Sequence, residues 1–95
     1  MATVVFGSFE WDDQKAATNL AKHGVSFEEA ITVLDDPNAI EAPDLIEPDR
    51  YITIGRSDLL RVLFVVHLEI ARSGRTRIIS ARKASPSQRR KYEEG

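Results

Sequence analysis

The stretch Tyr51–Ala84, YITIGRSDLLRVLFVVHLEIARSGRTRIISARKA, decides the fold. Its apolar residues recur with period two, the spacing of a strand rather than a helix. Residues 50–55, 59–71 and 76–84 read as three strands, with GRSD and RSGR as the turns between them. Turns this short join antiparallel neighbours, so this half of the chain is an antiparallel meander. Along the long strand, alternation puts Val62, Phe64, Val66, Leu68 and Ile70 on one face and Arg61, Leu63, Val65, His67 and Glu69 on the other. The uniformly apolar set is expected under helices and the mixed set in an open groove. On the last strand, regular alternation sends Arg77 and Arg82 to opposite faces.

Upstream the period changes to that of helices. In DDQKAATNLAKHG, Asp12 or Asp13 caps a helix, Ala16, Ala17 and Leu20 have helical spacing, and Gly24 fits the C′ position. In VSFEEAITVLDDPN, Ser26 and Glu29 form an S-x-x-E capping box, and Phe27, Ala30, Ile31 and Leu34 make an apolar stripe. Asp36-Pro37-Asn38 ends that helix. A short β-prone run precedes the first helix, and the acidic, proline-bearing residues 39–50 are expected as an irregular edge or loop. After the meander, Ser85-Pro86-Ser87-Gln88 supplies a capping serine, a proline at N1 and a glutamine at N3, so PSQRRKYEE is a short helix. The order is β-α-α-β-β-β-α, one α+β domain over residues 1–95 with helices packed on an antiparallel sheet.

Composition removes several functions. With no cysteine, disulfides, thiol catalysis and thiolate zinc sites are excluded. No apolar run approaches the ~18 residues of a membrane span, and MATVVFGSFEWDD lacks the regions of a secretion signal. A soluble cytoplasmic protein with no membrane partner is expected. There is no Gly-rich phosphate loop and no G-x-S-x-G elbow. Two distant histidines and scattered acids do not make a metal site, so neither metal nor cofactor is expected.

The net charge of −2 conceals an imbalance. Residues 1–50 carry 3 basic and 11 acidic side chains, net −8; residues 51–95 carry 10 and 4, net +6. From Arg75 to Lys91 there are seven cations and no acid. Such asymmetry points to a basic face for an anionic partner, nucleic acid being the commonest, although a salt-bridged surface has the same composition. His67 stands among apolar residues, where a buried histidine satisfied by an acid is the ordinary alternative to a functional one. His23 and Lys22 close the first helix, where a cation complements the helix dipole. Arg82 and Lys83 stand where the last strand gives way to the terminal helix, whose free N–H groups favour an anion. Arg89, Arg90 and Tyr92 follow on that helix, a basic–aromatic combination suited to single-stranded RNA.

Two segments together resemble the BrnT family. FEWDDQKAATNLAKHGVSFEEA is similar to its F-x-W-D, K-x-x-x-N, K-H-G-V and F-x-x-A start, and RIISARKASPSQRRKYEE to its I-I-S-A-R-[KR]-A strand and basic helix. The resemblance implies a toxin of a type II toxin–antitoxin module with a RelE-like ribonuclease fold. It further implies an RNA substrate, metal-independent cleavage that inhibits translation, and a BrnA-like ribbon-helix-helix antitoxin as partner. On it, Lys22, His23 and His67 are candidate base or acid. Arg61, Arg77, Arg82, Lys83 and Arg89 bind and stabilise phosphate, and Tyr92 stacks on a base or donates a proton. The chain departs from the family pattern at Asp13, where proline is usual, and at Leu68–Ile70, where a hydroxyl residue and then an arginine are common; here the arginine is delayed to Arg72. That departure leaves a non-catalytic binding module as the alternative.

Overall fold

A computed structural model describes residues 2–95. The elements are β1 (Thr3–Phe6), β2 (Phe9–Asp12), α1 (Asp13–His23), α2 (Phe27–Val33), β3 (Ile40–Pro43), β4 (Tyr51–Arg56), β5 (Val62–Ile70), β6 (Arg75–Lys83) and α3 (Pro86–Glu94). They build an α+β domain around one six-stranded sheet of order β1-β2-β6-β5-β4-β3. The β4-β5-β6 meander is antiparallel as expected.

Three expectations about the number and direction of the strands need correction. The N-terminal run is a hairpin rather than one strand: Gly7, at φ +60°, supplies the left-handed residue that the two-residue loop between Phe6 and Phe9 requires. Residues 40–43 are an edge strand on β4 rather than irregular, and Pro43 is tolerated because the edge asks for no ladder donor there. The sheet is mixed rather than antiparallel, since β2 runs parallel to β6 at Phe9–Thr76 and Glu10–Arg77.

The helix ends follow their side chains. The Asp12 carboxylate accepts from the N–H groups of Gln14 (2.8 Å) and Lys15 (3.3 Å), and Gly24 closes α1 at φ +69°. Ser26 caps α2 by accepting from Glu29 N at 3.0 Å. Only that half of the expected capping box forms, because the Glu29 carboxylate turns to Arg61 instead. At α3 the box is complete between Ser85 and Gln88.

The core is Trp11, Val25, Phe27, Ala30, Ile31 and Val33 against Leu63, Val65, Ile78 and Ala81. The face of β5 that the helices cover is therefore the Leu63–Val65–His67 face, opposite to the one expected. Alternation tells which residues share a face but not which face the helices cover. Phe64, Val66 and Leu68 lie half-buried on the open side. Leu20, expected in the stripe of α1, is exposed, and the buried residue of that helix is Asn19.

A β-bulge then resets β6. Val66 faces Ser80, but the next residue, His67, faces Ile78, leaving Ile79 as the extra residue. Partners across a ladder point to the same face, so Arg82 (opposite Phe64), Ser80 (opposite Val66) and Arg77 (opposite Leu68) all lie on the open face. The expected divergence of Arg77 and Arg82 is corrected by this one residue.

Candidate active site

The open face and the end of α1 meet along the outer edge of β6. Among the described residues, no strand flanks that edge beyond Arg77, since β2 pairs with β6 at Phe9–Thr76 and Glu10–Arg77. α1 takes the place of the missing strand. Asn19, 7% exposed, donates from Nδ2 to the carbonyls of Ala81 (2.8 Å) and Val25 (2.9 Å), and its Oδ1 accepts from Ala81 N (3.1 Å). Between helix and strand lies a crevice of about 300 Å³ lined by Lys15, Thr18, Lys22, His23, Ile79 and Ser80 among others. Ser80 belongs both to this crevice and to the open face. The crevice thus brings Lys22 and His23 to the strand that carries Arg77 and Arg82.

The arginines of the open face are held in place. Arg77 Nη1 donates to Glu10 Oε2 at 2.7 Å, and Arg75 Nη1 stands 3.9 Å from Glu10 Oε1. Arg82 lies over the Phe64 ring, 4.1 Å from its centroid, a geometry that a desolvated cation finds favourable. Its Nη1 also donates to Lys83 O (3.0 Å) and to Gln88 Oε1 (3.2 Å). The same Gln88 oxygen accepts from Ser85 N at 2.8 Å, so the cap of α3 and the orientation of Arg82 share an atom.

The other expected site residues are placed elsewhere. Arg61 is a clamp: its Nε donates to Glu29 Oε2 at 3.0 Å, and its Nη2 to Glu29 Oε1 and to Gly24 O at 3.0 Å. Ser57 Oγ donates to the same carboxylate at 2.6 Å. The Arg61 hydrogen bonds hold the Glu29 carboxyl below the usual carboxylate range. Tyr92 donates its hydroxyl to Asp36 Oδ2 at 2.6 Å, and that bond raises its pKa; the Arg56 guanidinium sits 5.9 Å from the ring centroid. Arg89 pairs with Glu93 at 3.0 Å along α3, and Lys83 is exposed at the end of β6.

His67 lies on the helix-covered side of the sheet, away from Arg77 and Arg82. It is 3% exposed, its Nε2 is 2.7 Å from Thr53 Oγ1 and 3.9 Å from Glu41 Oε2, and it stacks on Tyr51. Burial pushes its pKa below 6.5 against the pull of Glu41 and Glu69. It lines a cavity of about 420 Å³ with Asp36, Glu41 and Glu69. An expected base inside a carboxylate-lined cavity is badly placed to meet a phosphate. Among the described residues, no group of three or more His, Cys, Asp or Glu side chains is arranged to hold a metal, and no helix is long and apolar enough to cross a membrane.

Sequence reasoning missed Asn19, Glu29, Ser80 and Glu10. Glu29 left a trace, since a carboxylate on the buried side of an apolar helix needs a cation. Asn19 left a fainter one, a polar residue at helical spacing from Ala16, which packs against the core.

No curated protein matches the chain. Residues 11–88 match the family described as the ribonuclease toxin BrnT of type II toxin–antitoxin systems. Among solved structures, the Brucella abortus ribonuclease toxin BrnT aligns with a TM-score of 0.65 at 32% identity, over 79% of this chain and 92% of that one. That protein is thus matched over nearly its whole length. With its motifs matched at both ends and its fold shared, the chain belongs to the BrnT family of ribonuclease toxins of type II toxin–antitoxin systems.

Proposed function

We propose that the chain is a cytoplasmic, metal-independent endoribonuclease of the RelE-like kind that inhibits translation until a BrnA-like ribbon-helix-helix antitoxin neutralises it. What carries the reading is the α1–β6 crevice, where Lys22 and His23 border the strand bearing Arg77, Ser80 and Arg82. The reaction needs a base for the 2′-hydroxyl, cations for the charge on the phosphorane, and an acid for the 5′-oxygen. The 2′-oxygen attacks the adjacent phosphorus as its proton passes to the base. The bond from phosphorus to the 5′-oxygen then breaks as that oxygen takes a proton from the acid. His23 and Lys22 supply base and acid. Arg77 and Arg82 stabilise the phosphorane, as pre-oriented cations do best. Lys83 and Arg89 bind flanking phosphates. Arg61, Tyr92 and His67 are left out, being engaged with Glu29, with Asp36 and with Thr53.

The antitoxin is proposed to cover the same open face. Phe64, Val66, Leu68 and Ile52 are half-buried there, between Arg75 and Arg77 at one end and Arg82 at the other. An apolar centre with an arginine rim is how protein interfaces are built. This explains why the more apolar face of β5 is the one the helices leave uncovered.

A non-catalytic reading keeps one observation in its favour. Arg72 falls in the exposed turn after β5, and the open-face positions near it carry Leu68 and Ile70. Cleavage of a structured RNA by purified protein in EDTA decides between them, with Arg82→Ala beside it. Cleavage by the wild type that falls ~10²–10³-fold in the variant supports the ribonuclease. Binding without cleavage, on naked RNA and on translating ribosomes alike, supports the module.

A further inference from the structure

We infer that Asn19 is a positioning residue of the site: its carboxamide sets Lys22 and His23 of α1 against Arg77, Ser80 and Arg82 of β6. The inference rests on the ribonuclease reading for its catalytic readout, while its geometry stands without it.

Ala81 is fully buried, yet its backbone N–H and C=O face α1 where a neighbouring strand would be. Left unpaired, each group would forfeit the hydrogen bond it makes to water in the unfolded chain, so this edge demands a donor and an acceptor at a fixed spacing. A carboxamide is the side chain that carries both. Among the described residues, every hydrogen bond from an α1 side chain to β6 comes from Asn19. The remaining amide hydrogen goes to Val25 O, just past the left-handed Gly24. Lys22 and His23 therefore lie between two points that the same side chain fixes, Asn19 itself and Val25. On the strand, Ala81 lies between Ser80 and Arg82. One carboxamide fastens the stretch holding the proposed acid and base to the stretch holding the phosphate cations. An apolar residue of equal volume would fill the space without fixing the register of helix on strand.

The test uses wild type, Asn19→Asp, Asn19→Ala and Asn19→Ser in the full chain. The ionised aspartate keeps the bond from Ala81 N but sets a charge against two carbonyl oxygens. Once protonated, it again has one donor and one acceptor. Cleavage of a short RNA and binding of its uncleavable 2′-O-methyl analogue are measured from pH 8 to pH 5, each per folded molecule as judged by circular dichroism. A misplacement of about 1 Å costs roughly 10²-fold in rate, so Asn19→Asp should lose ~10–100-fold in kcat at pH 8 with KM little changed. Its deficit against the wild type should close as pH falls, whereas that of Asn19→Ala should stay constant. Asn19→Ser, with one donor left, should lose less than Asn19→Ala at every pH, and where Asn19→Asp unfolds that order is the test, an Asn19→Ser no better than Asn19→Ala overturning the inference. A folded Asn19→Ala as active as the wild type overturns the inference, as do deficits of Asn19→Asp and Asn19→Ala that run parallel at every pH. If the wild type cleaves neither this RNA nor message on translating ribosomes, the ribonuclease reading has failed and the analogue decides. Acid-dependent recovery of its binding by Asn19→Asp upholds the positioning role, and affinity equal to wild type at every pH overturns it.

Discussion

Replacing Arg61 by alanine should destabilise the molecule and leave the RNA affinity of the folded protein unchanged. The Glu29 side chain is 4% exposed and that of Arg61 is 30% exposed, so the pair is buried on one side and wetted on the other. Arg61→Ala leaves a buried carboxylate with Ser57 as its remaining side-chain donor, and it frees Gly24 O as well. Removing one partner of a fully buried pair costs about 3–5 kcal/mol; with Arg61 partly screened by water, about 2–3 kcal/mol is expected. For a domain of this size, that lowers Tm by roughly 8–24 °C. Because the depressed Glu29 pKa reflects stabilisation of its ionised form, the wild-type contribution is present above pH ~4.5 and is lost as pH falls through the folded value. Adding Glu29→Gln to Arg61→Ala should restore part of the loss, since it removes the stranded charge. Thermal and urea melts of the single and double variants measure this, alongside RNA affinity per folded molecule. An Arg61→Ala variant within about 0.5 kcal/mol of wild type, but with weakened RNA binding, would refute the clamp and return Arg61 to the phosphate surface.

Further consequences concern His67, Tyr92 and Gly55. Since burial lowers the His67 pKa below 6.5, the unfolded chain protonates first. Its contribution to stability should be whole above pH ~6.5 and decline as pH falls toward the folded value. Urea midpoints between pH 8 and 5.5 should therefore slope more in wild type than in His67→Gln. Tyr92→Phe removes the bond to Asp36 and should cost about 1 kcal/mol, with faster amide exchange in α3 and RNA cleavage retained. Gly55→Ala brings a Cβ to 3.0 Å from both Ala39 Cβ and Val33 Cγ1, and this overpacking should cost about 1–3 kcal/mol in a urea melt.

What could be read from the sequence was local. The caps at Asp12, Ser26 and Ser85, the stop at Gly24 and the three strands of the meander depend on residues within a few positions of one another, and all formed. What could not be read depended on distant partners or on backbone irregularity. Ile79 looks like any strand residue, yet as the bulge it inverts the parity of β6 and so gathers Arg77 and Arg82 on one face. The side of β5 that α1 and α2 cover is a property of the chain path, and composition alone favoured the wrong side. Asn19 meets Ala81 from 62 residues away, and Glu29 meets Arg61 from 32. His67 attracted attention as a histidine on a strand, whereas the crevice was drawn from a helix end that looked merely like a dipole cap.

The most direct measurement sets the two histidines against each other: RNA cleavage in EDTA by His23→Ala and His67→Ala, each confirmed folded, beside the wild type. Loss of a general acid or base costs ~10²–10⁴-fold, and that loss is expected for His23→Ala, with His67→Ala within a few-fold of wild type per folded molecule. The reverse outcome, activity kept without His23 and lost without His67, would move the chemistry to the carboxylate-lined cavity and contradict the assignment of the α1–β6 crevice.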